Sequence, residues 1–232
     1  MATHLDLEEQ EQLDQLKHFW KQYGNLVTWV LIAALGAYAA WNGWNWWQRD
    51  QAVKAGAMFD ELDRAAQAGD AEKSARIFAD LKDRYARTAF AQQGGLLAAK
   101  VQFDKGQADG ALAALAWVAA NGVEAEYQSI ARLRAAAVLL DQKKYDEALK
   151  QLDAAGAPEF AALAADRRGD VLLAQGKKDE AKAAYLKAWQ TMDAKVEYRR
   201  LIDAKLTALG AAPEVEKPVP SAAIAAAAGA SK

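Results

Sequence analysis

The chain has 232 residues, a net charge of −2, no Cys, two His, four Pro and eight Trp. Zero Cys excludes disulfides, zinc ribbons, iron–sulfur ligation and thiol catalysis, and the near-neutral charge gives no general reason to expect nucleic-acid binding. Alanine supplies 57 residues, and residues 1–210 hold a single proline, Pro158. Ala is the best helix former and Pro the worst, so this composition predicts an all-α protein.

Residues 1–23 form a short N-terminal segment rich in acid (Asp6, Glu8, Glu9, Glu11, Asp14). Within it Leu13, Leu16, Trp20 and Tyr23 recur at three- and four-residue spacing, one apolar stripe of a helix able to lie on a membrane surface. A frayed polar terminus is the alternative reading.

Residues 24–47 read GNLVTWVLIAALGAYAAWNGWNWW, with no charge between Lys21 and Arg49. Leu26 to Trp47 is about 33 Å of helix, enough to cross a bilayer core of about 30 Å. This predicts one transmembrane helix. Six of the eight Trp fall between Trp20 and Trp47. Trp41, Trp44, Trp46 and Trp47 read as one interfacial belt, with Trp20 and Tyr23 at the opposite surface and the lipid bilayer as partner. Indole rings bury their faces there and keep their N–H groups wet. Two other readings stand beside it, a buried helix of a soluble protein and a signal peptide cleaved at Ala37-Tyr38-Ala39. The long acidic leader and the aromatic sequence beyond the cut argue against cleavage. Lys17 and Lys21 precede the span and Arg49, Lys54 and Arg64 follow it, so charge bias leaves the orientation open.

Residues 48–210 show helical periodicity punctuated by Gly69-Asp70, Lys105-Gly106, Asn121-Gly122, Gly156 with Pro158, and Gly176. Three stretches align without gaps: 98–115, 135–152 and 168–185. Ala99, Ala136 and Gly169 share one column, Ala111, Ala148 and Ala181 a second, and Leu115, Leu152 and Tyr185 a third. The second column repeats at intervals of 37 and 33 residues. A weaker upstream copy places Leu62, Ser74 and Phe78 in the matching positions. A period near 34 with small residues where two helices touch is the tetratricopeptide pattern. Its helix-end prolines and first-helix Trp are missing, so the expected fold is a solenoid of degenerate tetratricopeptide-like hairpins. Val196–Leu209 reads as a final helix covering the last apolar face. Residues 211–232 read as a disordered Ala/Pro-rich tail.

No catalytic, cofactor-binding or metal-ligating set emerges. Both His precede the span, and the four Ser have no His in the same domain to activate them. Asp146-Glu147 and Asp179-Glu180 read as solvated helix starts. An enzyme is therefore not expected. In helical-hairpin solenoids the first helix of each hairpin lines the concave face. The alignment puts Gln93, Leu96, Lys100 and Phe103 there in one hairpin. The next supplies Ile130, Leu133, Ala137 and Leu140, and the next Leu163, Asp166, Asp170 and Leu173. These are the candidate partner-binding residues, with simple core packing as the alternative for each.

The sequence E-x-x-E-Q-L-D-Q-L-K-x-F-W-K-x-Y-G before one span, the Trp-rich exit and the degenerate repeats resemble the YfgM family of ancillary SecYEG translocon subunits. The most specific stretch is 131–185, with A-D-R-R-G-D at 165–170 followed by G-K-K-D-E-A-K. The resemblance implies a single-pass protein of a bacterial inner membrane, with residues 1–23 cytoplasmic and the repeat domain periplasmic. It implies SecYEG, a membrane-anchored periplasmic chaperone of the PpiD type and secreted protein clients as partners. An envelope scaffold in outer-membrane protein or lipoprotein assembly is the alternative.

Overall fold

The computed structural model describes residues 7–212, and every regular element among them is helical. The tail expected at 211–232 lies, from residue 213 on, outside the described residues. So do the first six residues. The chain divides into two compact units, Met1–Lys54 and Ala55–Lys232.

In the first unit lies most of α1 (Leu7–Gln67). Its run from Leu26 to Ala40 is apolar, and the polar side chains of Thr28 within it and Asn42 just beyond it close onto the backbone. Thr28 donates its hydroxyl to the Gly24 carbonyl at 2.8 Å, and Asn42 donates to the Tyr38 carbonyl at 3.0 Å. Such internal partners are what a helix in hydrocarbon needs, since no water is there to supply them.

The second unit starts with the last turns of α1, whose Ala55, Leu62 and Ala65 are buried in one cluster with residues of α2 (Ala71–Tyr85) and the helices that follow. A first, second and third complete hairpin follow this partial one. They are α3 (Ala89–Asp104) with α4 (Ala108–Asn121), α5 (Ala125–Asp141) with α6 (Tyr145–Ala154), and α7 (Ala161–Ala174) with α8 (Lys178–Thr191). A last helix, α9 (Arg199–Ala208), packs on α8. Each second helix packs on the first helix of the next hairpin, and first helices also touch one another, α3 to α5 and α5 to α7.

The repeat register read from sequence is the register of the core. Ala99, Ala111 and Leu115 are buried, as are Ala136, Ala148 and Leu152, and Ala181 and Tyr185. Leu62, Ser74 and Phe78 of the weaker copy are buried too. Trp117 closes edge-on against Phe78 at 5.4 Å between ring centres. The two Trp of this unit thus serve packing: Trp189 lies under the Arg199 guanidinium, 4.0 Å from its ring centre.

One pair of columns changes character in the third hairpin. Where the first two place Ala opposite Leu, the third places Gly169 opposite Tyr185. A Cβ at 169 would lie 2.5 Å from Tyr185 Cδ1. The larger ring is accommodated by removing the methyl it would strike.

The turn between the two helices of each hairpin is also repeated. Gly69, Gly106, Lys143 and Gly176 have φ of 66°, 76°, 59° and 81°. At each, the N–H of that residue and of its successor bond back to the preceding helix, as in Gly106 to Phe103 and Gln107 to Gln102. This is a Schellman closure, which satisfies helix-end carbonyls and needs a left-handed residue. Gly enters that region freely; Lys143 does so at a cost.

The final helix begins three residues later than Val196. Asp193 accepts the Lys195 N–H at 2.9 Å on its side chain and the Val196 N–H at 3.1 Å on its carbonyl. That local turn holds residues 193–196 out of the helix.

Two outcomes follow. Lys143→Gly is expected to raise the stability of the repeat domain by about 1 kcal/mol, by relieving left-handed strain, read from the urea midpoint at constant slope. Gly169→Ala is expected to cost about 1–3 kcal/mol through overpacking. Adding Tyr185→Leu, which recreates the Ala–Leu pair of the other hairpins, should recover part of that loss.

Candidate partner-binding face and terminal lock

The expected partner-binding residues fall into three groups. Leu96 and Leu133 are buried, in the same clusters as Val138 and Val171 of the following first helices. Their role in the structure is to join neighbouring hairpins. Gln93 is half-buried and donates to the Tyr127 hydroxyl at 2.8 Å, joining α3 to α5. Lys100 is exposed and pairs with Asp104 at 2.6 Å.

The apolar members that reach solvent occupy equivalent repeat positions. Phe103 is 39% exposed and Leu173 is 38% exposed. Leu140, between them in sequence, is half-buried. All three sit three residues before the left-handed turn residue of their hairpin, so each hairpin contributes one at the same position. Ile130, Ala137 and Leu163 add half-buried apolar surface on the same helices.

Asp166 and Asp170 form a different arrangement. Asp166 is fully buried. It accepts from the Tyr198 hydroxyl at 2.8 Å and from Lys205 Nζ at 2.8 and 3.0 Å. Asp170 accepts from Lys205 Nζ at 2.6 Å, from the Tyr185 hydroxyl at 2.8 Å and from Arg167 at 3.3 Å. The Lys205 ammonium also lies 5.1 Å from the centre of the Tyr185 ring. Every donor here is charged or a phenol, and each carboxylate is multiply satisfied, the condition for burying one. The set locks α9 onto α7 and α8, beside the buried Ile202 and Leu206 of α9.

Burial pushes the Tyr198 hydroxyl up, and its hydrogen bond to Asp166 adds to that, raising it from 10.0 to about 12. Tyr185 is pushed further in the same direction by burial and then by its hydrogen bond to Asp170.

Sequence reasoning missed other joints as well. Gln92 is buried, accepts the Val123 N–H at 2.8 Å and donates to Glu124 at 3.3 Å. Ser129 is buried and accepts the Ala157 N–H at 3.0 Å. Ser74 donates to the Asp70 carbonyl at 2.7 Å. Both described serines are thus engaged with backbone. Among the described residues, no three His, Asp or Glu are grouped to hold a metal ion.

In the first unit, Trp20, Tyr23, Trp41, Trp44, Trp46 and Trp47 are all exposed. Trp44 and Trp47, one turn apart, touch with tilted rings whose centres are 5.2 Å from each other, as do Phe19 and Tyr23. Among the described residues, α1 is the one helix long and apolar enough to cross a membrane, and almost none of its apolar window is buried. The chain fits a single-pass membrane protein.

The lock carries a pH signature. A raised folded-state value means that the folded protein holds these phenol protons to higher pH than the unfolded chain does. The contribution to stability is intact below pH 10 and falls as pH rises from 10.0 towards about 12. Urea unfolding at stepped alkaline pH should show this fall, and Tyr198→Phe should make it shallower.

The sequence profile of the tetratricopeptide repeat-like domain matches residues 17–211. A protein of Neisseria gonorrhoeae named ancillary SecYEG translocon subunit is 36% identical over 90% of this chain and all of its own length. Proteins of the same name from Haemophilus influenzae and Escherichia coli are 29% and 31% identical. They cover 80% and 76% of this chain and 90% and 85% of their own lengths. The repeat register, the single apolar helix and these matches together place the chain in the tetratricopeptide repeat-like family of ancillary SecYEG translocon subunits.

Proposed function

We propose that this protein is a non-enzymatic, membrane-anchored ancillary subunit of the Sec translocon. The observation that carries the reading is the match to a protein of that name along that protein's whole length. The anchor is residues 24–47, seated by Trp41, Trp44, Trp46 and Trp47 at one surface and Trp20 and Tyr23 at the other. Residues 1–23 are cytoplasmic, and the repeat domain, residues 48–210, is periplasmic, in a bacterial inner membrane.

The repeat domain binds proteins on the face of its first helices. Phe103, Leu140 and Leu173 supply one apolar contact per hairpin, suited to an extended segment lying across several hairpins. Its partners are a membrane-anchored periplasmic chaperone of the PpiD type and emerging secreted chains. No covalent chemistry is involved. Tethering beside the translocon converts weak encounters into frequent ones, because effective concentrations of tethered sites reach about the millimolar range.

Two measurements test this. Photocrosslinkers at Phe103, Leu140 and Leu173 in native membranes should capture chaperone or nascent-chain partners; three silent positions would contradict the binding face. The chain has no Cys, and Val123 is 61% exposed, so Val123→Cys gives a single accessible thiol. An impermeant maleimide should label it from the periplasmic side. Labelling from the cytoplasmic side alone would overturn the topology.

A further inference from the structure

The joint between successive first helices is built the same way twice and differently the third time. Leu96 of α3 shares a buried cluster with Val138 of α5, and Leu133 of α5 shares one with Val171 of α7. Counting back from the left-handed residue of each hairpin, the next pair in register is Asp166 of α7 and Lys205 of α9. Gly210, with φ of 71°, closes α9 by the same Schellman bonds. By this register α9 is the first helix of a fourth hairpin. At its joint an apolar Leu–Val pair has become an ion pair at 2.8 Å.

A second position changes in step. Gln92 and Ser129 occupy equivalent places on α3 and α5. Each accepts a backbone N–H from the loop that enters the next hairpin, Val123 and Ala157 respectively. The equivalent residue on α7 is Ala162, whose side chain has no acceptor to offer. The loop from α8 to α9 therefore lacks the backbone tether at that position, and is tied to α7 only at its last residue, through the Tyr198 hydroxyl on Asp166. Its residues Asp193 to Glu197 are all exposed.

We propose that α9 is a latch, a half-hairpin that docks Ile202 and Leu206 in the cluster of α7 and α8 but has an ion pair at its joint to α7, and that it opens while α3–α8 stay folded. Opening uncovers Asp166, Asp170 and the Tyr185 hydroxyl as a polar end to the first-helix face. The physical reason lies in the exchange of pairs. An apolar pair adds net stability on burial, whereas a buried ion pair spends most of its attraction on desolvation and chiefly fixes the fit. A ten-residue helix also has no stability of its own once undocked, so opening and unfolding of α9 are one event. The latch goes beyond the binding reading and stands independently of what occupies the face.

Hydrogen exchange by mass spectrometry on the full-length protein in lipid nanodiscs tests it. The α9 amides should exchange at least about tenfold faster than those of α7 and α8, as an element with its own lower opening free energy does. Replacing Asp166→Leu and Lys205→Val together with Tyr198→Phe installs the apolar pair used at the other joints without stranding the Tyr198 hydroxyl, while Asp170 keeps Tyr185 and Arg167. It should slow α9 exchange by about tenfold or more, leaving α3–α6 unchanged. Lys205→Met alone should speed it. Exchange of α9 in step with α7 and α8 in the unaltered protein would overturn the latch, as would a combined replacement that leaves α9 exchange where it was. The comparison within the unaltered protein decides the matter even where a variant does not fold.

Discussion

The structure of the repeat domain depends on how closely two helices can approach. Ala99, Ala136 and Gly169 on first helices, and Ala111, Ala148 and Ala181 on second helices, are the residues that allow it. All are buried. A side chain longer than a methyl at these columns would hold the backbones apart and leave the flanking Leu115, Leu152 and Tyr185 without a surface to close on. Each hairpin then has an apolar flank to bury, and the next hairpin covers it, so stability accumulates along the row and not within any one hairpin. The third hairpin shows the rule through its exception. Tyr185 takes the place of a Leu, and Gly169 yields the room it needs.

That exception has a purpose at the end of the row. A Tyr at 185 brings a hydroxyl to Asp170, and Asp170 with Asp166 receives Lys205 and Tyr198 from α9. The solenoid therefore ends in a charged lock at the position where its earlier joints place Leu and Val. A chain that continued its Leu–Val pattern would present one more sticky first-helix surface. The charged pair instead accepts only a partner with a matching cation, which is how a buried ion pair contributes specificity.

Much of this was legible in the sequence because it is periodic. The small-residue columns, the hairpin turns and the final helix repeat or follow at fixed intervals, and backbone geometry demands small residues and left-handed turns wherever they recur. The site was less legible. Leu96, Leu133 and Asp166 share one column and were all expected to line the binding face. The column is in fact the joint between first helices, where the next helix covers it. Spacing gives the column but not what lies across it, since the partners of Asp166 are 32 and 39 residues away in the chain. Two signals were present and could have been used: an acid where its equivalents are Leu, and a Lys where its equivalents are Val. The turn at Lys143 was likewise hidden, because a left-handed Lys carries no compositional mark.

The anchor and the repeats divide the work. Under the proposed function an apolar helix with aromatic ends fixes the protein at a bilayer, and the row of hairpins offers it surface for other proteins. The most direct measurement is isolation of the tagged full-length chain from its native membranes in mild detergent, followed by identification of what accompanies it. Recovery of the SecYEG core subunits, undiminished in a Phe103→Ala, Leu173→Ala variant that loses bound clients, is the predicted result. Recovery of outer-membrane assembly components in their place, with no SecYEG, would contradict it.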